Sequence, residues 1–238
     1  MTTALRSGEQ ALATVFETAS RQQRAALIGY LPAGYPSVAG AADAMLAMVD
    51  AGVDLVEVGL PYSDPLMDGP VIQQAVDAAL GRGTTTADVL RTVETLADRG
   101  ASAVVMSYWN PIERYGVAAF ARDLAAAGGV GVITPDLIPD EAGDWLDAAR
   151  AAALGTVFLV EPASTDQRLA LTAQACRGFV YAASTMGVTG ARTSVGGAAA
   201  HLVRRTRSVT DLPVGVGLGV STGEQAAEVA AFADGVIV

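Results

Sequence analysis

The sequence predicts an α/β fold in which eight parallel β-strands alternate with α-helices. Two observations predict it. Short apolar runs recur along the chain, separated by segments that show the residue spacing of amphipathic helices. The runs are apolar throughout and do not alternate with polar residues, which is typical of parallel strands buried on both faces.

Each element follows from its own local pattern. An extra helix over residues 10–20 precedes the first strand and carries Leu12, Val15, Phe16 and Ala19 on one face. Pro70 suits the start of the helix after the second strand. Capping-box patterns begin at Thr85 and at Ser221. The predicted strands are residues 26–31, 54–58, 103–107, 130–134, 156–160, 179–183, 214–217 and 234–238.

Eight strands with helices between them favour a closed (β/α)8 TIM barrel. The alternative, an open doubly wound sheet, needs a glycine fingerprint after its first strand, and Gly29 and Gly34 do not have that spacing. Because no linker-like composition interrupts the pattern, we expect a single barrel domain over residues 1–238. The sequence stops with the eighth strand, so we also expect a barrel truncated after it.

Composition excludes several classes of function. The 238 residues include 25 acidic and 15 basic side chains, and a net charge of −10 argues against nucleic-acid binding. All basic residues are arginine, which excludes lysine Schiff-base chemistry. One histidine, His201, and one cysteine, Cys176, argue against a zinc site or a Ser-His-Asp triad. With no apolar run of roughly 18 residues and no disulfide partner, we expect a cytoplasmic protein.

Glu57 is the first candidate catalytic residue. It lies in the apolar second strand, where an ionised carboxylate costs several kcal/mol unless something compensates it. If Val56 and Val58 face the helices, Leu55 and Glu57 face the barrel interior. Active sites of such barrels lie at the carboxyl ends of the strands, which is where Glu57 would point. Asp54, at the start of the strand, is expected to be structural.

The loop after this strand carries two more carboxylates, Asp64 and Asp68. Asp68 also fits a helix N-cap, and Asp64 before Pro65 also fits a turn. Residue chemistry alone therefore leaves open which of the two would act with Glu57.

Two glycine-rich loops suit a phosphate group. MGVTG at residues 186–190 follows the sixth strand, and GVGLGVS at residues 215–221 lies at the end of the seventh strand and leads into a helix. Glycines allow backbone N–H groups to approach an anion, and barrels of this kind often bind phosphate near the seventh and eighth strands.

Five segments together carry a family pattern: YLPAGYP at residues 30–36, VEVGLPYSDPLMDGP at 56–70, YWNP at 108–111, DLIP at 136–139 and GVTG at 187–190. In these segments the chain resembles the tryptophan synthase α-subunit family. The resemblance implies a lyase of tryptophan biosynthesis that cleaves indole-3-glycerol phosphate to indole and glyceraldehyde 3-phosphate. It implies catalytic roles for Glu57 and Asp68, which settles the choice against Asp64.

The resemblance also implies the remaining site residues. Tyr181 would lie beside Glu57. Thr189, Gly190, Gly217 and Gly219 would surround the phosphate, and Leu27, Met106 and Leu218 would line the indole pocket. It implies no metal and no cofactor in this subunit.

A partner β subunit, with pyridoxal phosphate, would accept the indole in an α2β2 assembly. We expect Pro61, Asp64 and Pro65, as exposed residues of a stiff loop, to contact that partner together with Asn110. Two alternatives remain at this stage: a subunit that chiefly activates the β subunit, and another phosphate-sugar barrel enzyme such as an isomerase.

Overall fold

The computed structural model describes residues 7–183, 196–217 and 219–238. Eight parallel strands in this part of the chain close into a barrel in sequence order, because β1 pairs with both β2 and β8. The strands are β1 (Ala26–Pro32), β2 (Leu55–Gly59), β3 (Ala103–Met106), β4 (Gly131–Thr134), β5 (Gly155–Val160), β6 (Val180–Ala183), β7 (Val214–Gly217) and β8 (Gly235–Ile237). The predicted (β/α)8 barrel is confirmed, with strand ends that differ by at most one residue.

Helices connect the strands around the outside of the barrel, and one further helix precedes β1. They are α1 (Gly8–Arg21), α2 (Val38–Asp50), α3 (Pro70–Gly81), α4 (Thr86–Asp98), α5 (Trp109–Tyr115), α6 (Val117–Ala126), α7 (Gly143–Ala151), α8 (Asp166–Ala175), α9 (Gly196–Arg207) and α10 (Gly223–Ala230). A 3-10 turn, Pro139–Glu141, precedes α7. Within the described residues, no helix is long and apolar enough to cross a membrane.

The predicted helix starts at Pro70, Thr85 and Ser221 can be compared with the structure. The helix α3 begins at Pro70, as predicted. Thr85 and Asp88 form the expected capping box at α4. The cap of α10 is Thr222 and not Ser221, since the Thr222 hydroxyl accepts the Gln225 N–H. The Gln225 side chain accepts from the Ser221 N–H at 2.8 Å, so Ser221 lies just outside the helix.

The extra helix α1 closes the base of the barrel. Leu12, Val15, Phe16 and Ala19 form the buried face predicted for it and pack with inward-facing strand residues. Leu12 reaches so close to Gly155 and Gly178 that a Cβ at either glycine would lie within about 2.5 Å of its Cδ1 atom, as the distances of 2.4 and 2.5 Å show. The base is therefore filled, and access to the interior is from the carboxyl ends of the strands.

The start of β1 is tied to the start of β2 by Asp54. Its carboxylate accepts from the Arg24 guanidinium at 2.5 and 2.7 Å and from the Leu27 N–H at 2.8 Å. Burial opposes ionisation, but these hydrogen bonds outweigh it and lower the pKa of Asp54. Asp54 is a structural residue, as its position predicts.

A cleft of about 1060 Å³ opens at the base, between α1 and the segments that precede β7 and β8. Among the residues that line it, Arg21, Arg24 and Arg207 are paired with Glu17, Asp54 and Asp234 respectively. The cleft lies at the end of the barrel opposite the carboxyl ends of the strands.

Candidate active site

Glu57 is the central residue of β2, and its side chain points into the barrel. It is 3% exposed, and its register neighbours are Tyr30 on β1 and Val104 on β3. Leu55 belongs to the interior cluster, whereas Val56 belongs to the layer between strands and helices. Because side chains alternate along a strand, Glu57 shares the inward face with Leu55.

The surroundings of Glu57 favour its neutral form. Its buried Oε2 atom has no hydrogen-bond partner within the described part of the chain. Burial raises the pKa of Glu57 to about 8, because the charged carboxylate loses its hydration. The carboxyl group therefore carries a proton at neutral pH and holds an oxygen available for a ligand.

Two tyrosines flank this carboxyl group. A Cβ on Gly59 would lie 2.5 Å from the Tyr30 hydroxyl, and a Cβ on Gly217 would lie 2.1 Å from the Tyr181 hydroxyl. Each glycine thus gives a phenol the room to lie against a neighbouring strand. Burial is the largest cause of the raised pKa of both phenols, and they stay protonated. The next cause is the charge of Asp68 for Tyr30 and the charge of Glu57 for Tyr181.

Asp68 is the second acid of the cluster. It is 6% exposed, and its Oδ1 atom accepts a hydrogen bond of 2.9 Å from the Tyr108 hydroxyl. Burial raises the pKa of Asp68, and the Tyr108 bond opposes that rise. The negative charges of Asp68 and Glu57 both add to the effect of burial in raising the pKa of Tyr30, so both acids act on this phenol.

The structure separates Asp64 from Asp68. Asp64 is exposed and accepts a hydrogen bond of 2.6 Å from the Ser63 hydroxyl of its own loop. Asp68 is not the N-cap of α3, because that position is occupied by Gly69. Of these two loop acids, only Asp68 belongs to the buried cluster.

One predicted pocket residue is wrong. Leu27 lies between Ala26 and Ile28, which both belong to the interior cluster, so its side chain faces outward. A Cβ on Gly29 would likewise meet Met48 of α2, which confirms that odd-numbered residues of β1 face the helices. Tyr30 is the β1 residue that reaches the site.

Of the other predicted substrate contacts, the structure describes Met106, Gly217 and Gly219. Met106 ends β3 and packs against the interior cluster, and Gly217 lies beneath the Tyr181 hydroxyl. Gly219 adopts a left-handed conformation, with φ of +100°. The predicted contacts at Thr189, Gly190 and Leu218 lie outside the described residues.

The residues predicted to contact the β subunit, which we call the rim, are Pro61, Asp64, Pro65 and Asn110. Not all of them are exposed as expected. Pro61 is buried and Pro65 is half-buried, so the prediction that these two residues are exposed is wrong for Pro61. Asp64 and Asn110 are exposed. A cleft of about 370 Å³ separates this loop from α5, with Tyr62, Asn110, Pro111 and Arg114 among its lining.

The described residues contain no group of three or more His, Cys, Asp or Glu side chains that could hold a metal ion. Among the described residues, the carboxyl ends of the strands bring together two buried carboxyl groups, Glu57 and Asp68, and three phenols, Tyr30, Tyr108 and Tyr181.

A protein-family model described as "Tryptophan synthase alpha chain" matches residues 16–238. The chain belongs to the tryptophan synthase alpha chain family. The tryptophan synthase alpha chain of Mycobacterium avium is 62% identical over 227 residues, covering 95% of this chain and 84% of the relative. That of Thermobifida fusca is 63% identical over 223 residues, covering 92% and 83%.

A comparison with solved structures leads to the same family. A chain of Mycobacterium tuberculosis tryptophan synthase is 58% identical, covers 95% of this chain and 87% of its own length, and superimposes with a TM-score of 0.91. The family predicted from the sequence is confirmed, and with it the lyase activity in tryptophan biosynthesis.

Sequence reasoning missed two residues of the site, Tyr30 and Tyr108. Tyr30 was within reach, because the alternation applied to β2 also predicts an inward Tyr30 on β1. Tyr108 follows β3 within the YWNP segment, but its bond to Asp68 joins residues 40 positions apart. No local pattern reveals a contact of that kind.

Proposed function

We propose that this chain cleaves indole-3-glycerol phosphate to indole and glyceraldehyde 3-phosphate, with Glu57 as the proton donor and acceptor and Asp68 as the stabilising anion. The observation that carries the assignment is the buried Glu57 carboxyl group, whose Oε2 atom is unpartnered within the described residues. Its pKa of about 8 suits a group that must both give and take a proton near neutral pH.

The proposed reaction begins with the protonated carboxyl group. Glu57 gives its proton to C3 of the indole ring, and the ring becomes cationic. The ionised Glu57 then takes the proton of the glycerol hydroxyl next to the ring. The bond between C3 and that carbon breaks, its electrons return to the ring, and the hydroxyl carbon becomes the aldehyde. Glu57 ends protonated, so the proton balance closes.

Asp68 acts on the charge that develops during this step. As C3 is protonated, the ring N–H gains positive character, and a fixed carboxylate stabilises it. The low exposure of Asp68 supports this role, because an ion pair is stronger where water is excluded. The benefit arises in the transition state and raises kcat more than it improves substrate binding.

The rest of the site is assigned to the two ends of the substrate. Tyr30, Tyr181 and Met106 are proposed to contact the indole ring, with Leu218. The phosphate is assigned to the backbone around Gly217 and Gly219, together with Thr189 and Gly190. The left-handed backbone at Gly219 supports a turned loop there, since such turns direct N–H groups to an anion.

The cleavage uses side-chain groups alone in this account, so this subunit is proposed to need neither metal nor organic cofactor. Membership of the family implies a β-subunit partner. We assign pyridoxal phosphate to that partner and propose an α2β2 assembly. A cytoplasmic location belongs to the same proposal, supported by the single buried cysteine Cys176.

The proposed contact with the β subunit is the rim around the Asp68 loop. Asp64 and Asn110 are exposed there, and Leu66 and Val71 have 71% and 75% of their surface exposed. Exposed apolar side chains beside a cleft are typical of interaction surfaces. Pro61 and Pro65 support the loop from within and are proposed to contribute as its rigid base.

The direct test is indole release from indole-3-glycerol phosphate by the purified chain, with and without an added β subunit. We expect release by the chain alone and faster release with the partner. Activation of the β subunit without any release would favour the alternative of a chiefly activating subunit.

We predict that Asp64→Ala weakens activation by the β subunit more than it weakens unaided cleavage. The reason is that Asp64 is exposed on the rim while its loop also carries Asp68, so partner binding and the placement of Asp68 are coupled. The measurement is the ratio of indole-release rates with and without saturating β subunit.

Asp98→Ala is the matched control, because Asp98 is exposed at the end of α4, at the base of the barrel. It should leave the activation ratio unchanged. Equal losses in both assays for Asp64→Ala would mean that Asp64 serves its own loop and not the interface.

A further inference from the structure

Tyr108 connects the start of α5 to the loop between β2 and α3. It is the N-cap residue of α5 and is 2% exposed. Its ring lies 5.5 Å from that of Tyr62, between centroids, and its hydroxyl contacts both Met67 and Asp68. A single buried phenol therefore holds two consecutive residues of the loop between β2 and α3.

The directions of these two hydrogen bonds are fixed by chemistry. The Met67 N–H can only donate, so the Tyr108 oxygen accepts it at 3.0 Å. The hydroxyl proton is then directed to Asp68 Oδ1 at 2.9 Å. An ionised carboxylate is the best acceptor for it, so this arrangement favours the charged form of Asp68 in one orientation.

A third residue holds Tyr108 in place. An N-cap side chain normally accepts a backbone N–H of the first helical turn, but the Tyr108 side chain makes no such bond. Asp136, after β4, supplies the acceptor instead, because both of its carboxylate oxygens accept the Trp109 N–H, at 2.9 and 3.1 Å. The start of α5 is thus anchored from the next loop while Tyr108 remains directed at Asp68.

We propose that Tyr108 is a positioning residue for Asp68 and that Asp136 anchors it, so that the stabilising carboxylate stands ready and ionised before substrate binds. This inference rests on the proposed function of Asp68. It assigns a role to two of the sequence segments, YWNP and DLIP, that the cleavage mechanism itself does not use.

The hydrogen bond from Tyr108 to Asp68 should affect the pH dependence of cleavage. The titratable groups that face Asp68 within the described residues are Tyr108 and Tyr30. Both phenols have raised pKa values, with burial as the largest cause, and stay protonated over the working range. Loss of the Tyr108 hydroxyl removes the bond that opposes the effect of burial on Asp68, so the pKa of Asp68 should rise further.

The test is Tyr108→Phe, measured as indole release by the chain without β subunit. We expect kcat to fall by about 10- to 100-fold, the range for a hydrogen bond to a charged group, with a small change in KM. The fall of kcat/KM on the acid side, which protonation of Asp68 would cause, should move to higher pH. The fall on the alkaline side, which ionisation of Glu57 with its pKa of about 8 would cause, should stay in place. The ionisation of the substrate phosphate is common to both proteins and cancels in the comparison.

Tyr115→Phe is the matched control. The Tyr115 hydroxyl donates to Asp123 at 2.9 Å, the same kind of bond at the same length, but on an exposed surface. It should change neither kcat nor the profile. In an Asp68→Asn background, Tyr108→Phe should add little, because the charge that Tyr108 positions is already absent there.

The possible outcomes separate a failure of the proposed function from a failure of the positioning role of Tyr108. If the wild-type chain releases no indole, the proposed function fails first. If it does, and Tyr108→Phe matches Tyr115→Phe, the positioning role is overturned. A uniform loss of rate without a shift of the acid side would also overturn it, as a merely structural role.

Asp136→Ala provides a second route if thermal unfolding shows that Tyr108→Phe does not fold. A lower kcat with the same upward shift of the acid side would support the anchoring role. A wild-type profile for Asp136→Ala would contradict it.

Discussion

Replacing Glu57 by glutamine is expected to lower indole release by on the order of 10²–10⁴ while the barrel still folds. Glutamine keeps the size of the side chain but carries no transferable proton, so both proton transfers lose their agent. The measurement is kcat for release from indole-3-glycerol phosphate, with far-ultraviolet circular dichroism as a check on folding.

Glu94→Gln is the matched control, because Glu94 is exposed on α4, away from the mouth. It should release indole at the wild-type rate. Near-normal turnover in Glu57→Gln would remove Glu57 from the mechanism.

The same substitution should change the pH dependence of stability. The pKa of Glu57 is about 8 in the folded protein, above its ordinary value of 4.5, so the folded state binds this proton more tightly. That contribution to stability is complete below pH 4.5 and is lost as the pH rises through about 8. We therefore expect Glu57→Gln to gain stability relative to wild type between pH 5 and 8, measured as the difference in Tm.

The second large effect is expected at Asp68. Asp68→Asn keeps the shape and can still accept the Tyr108 hydroxyl, but it removes the charge. We expect kcat to fall by about 10²- to 10³-fold, the loss typical of one preorganised electrostatic group. KM should change little, because the ring cation exists only as the transition state forms.

Asp77→Asn serves as the control, since Asp77 is exposed on α3, the helix that follows the Asp68 loop. Wild-type turnover in Asp68→Asn would leave Asp68 with only a structural contact to Tyr108.

The fold was predictable because parallel strands must be apolar on both faces. Each of the eight runs stands out against its amphipathic neighbours, and the strand ends agree to within one residue. The interior position of Glu57 followed from the alternation of side chains once Val56 and Val58 were assigned to the outer layer.

The wrong or missing predictions concern residues to which the alternation of side chains was not applied, or contacts between residues far apart in the sequence. Leu27 was assigned from the family pattern alone, although alternation on β1 selects Tyr30. Pro61 was expected to be exposed as part of a stiff loop, but the structure buries it. The bond from Tyr108 to Asp68 joins distant residues, and only the closed barrel brings them together.

The size of the rise in the pKa of Glu57 could not be predicted from the sequence either. A strand glutamate could have been paired with an arginine, as Asp54 is with Arg24. Only the three-dimensional surroundings, with Oε2 buried and unpartnered within the described residues, indicate that burial controls its ionisation.

The central claim is that a protonated Glu57 starts the cleavage, and the pH profile of kcat/KM for indole release by the purified chain tests it most directly. This quantity reports the ionisations of the free enzyme. We predict a single-proton fall on the alkaline side with an apparent pKa of about 8, the value for Glu57. A rate that stays constant from pH 7 to beyond pH 9, roughly a pH unit on either side of that value, would contradict the account.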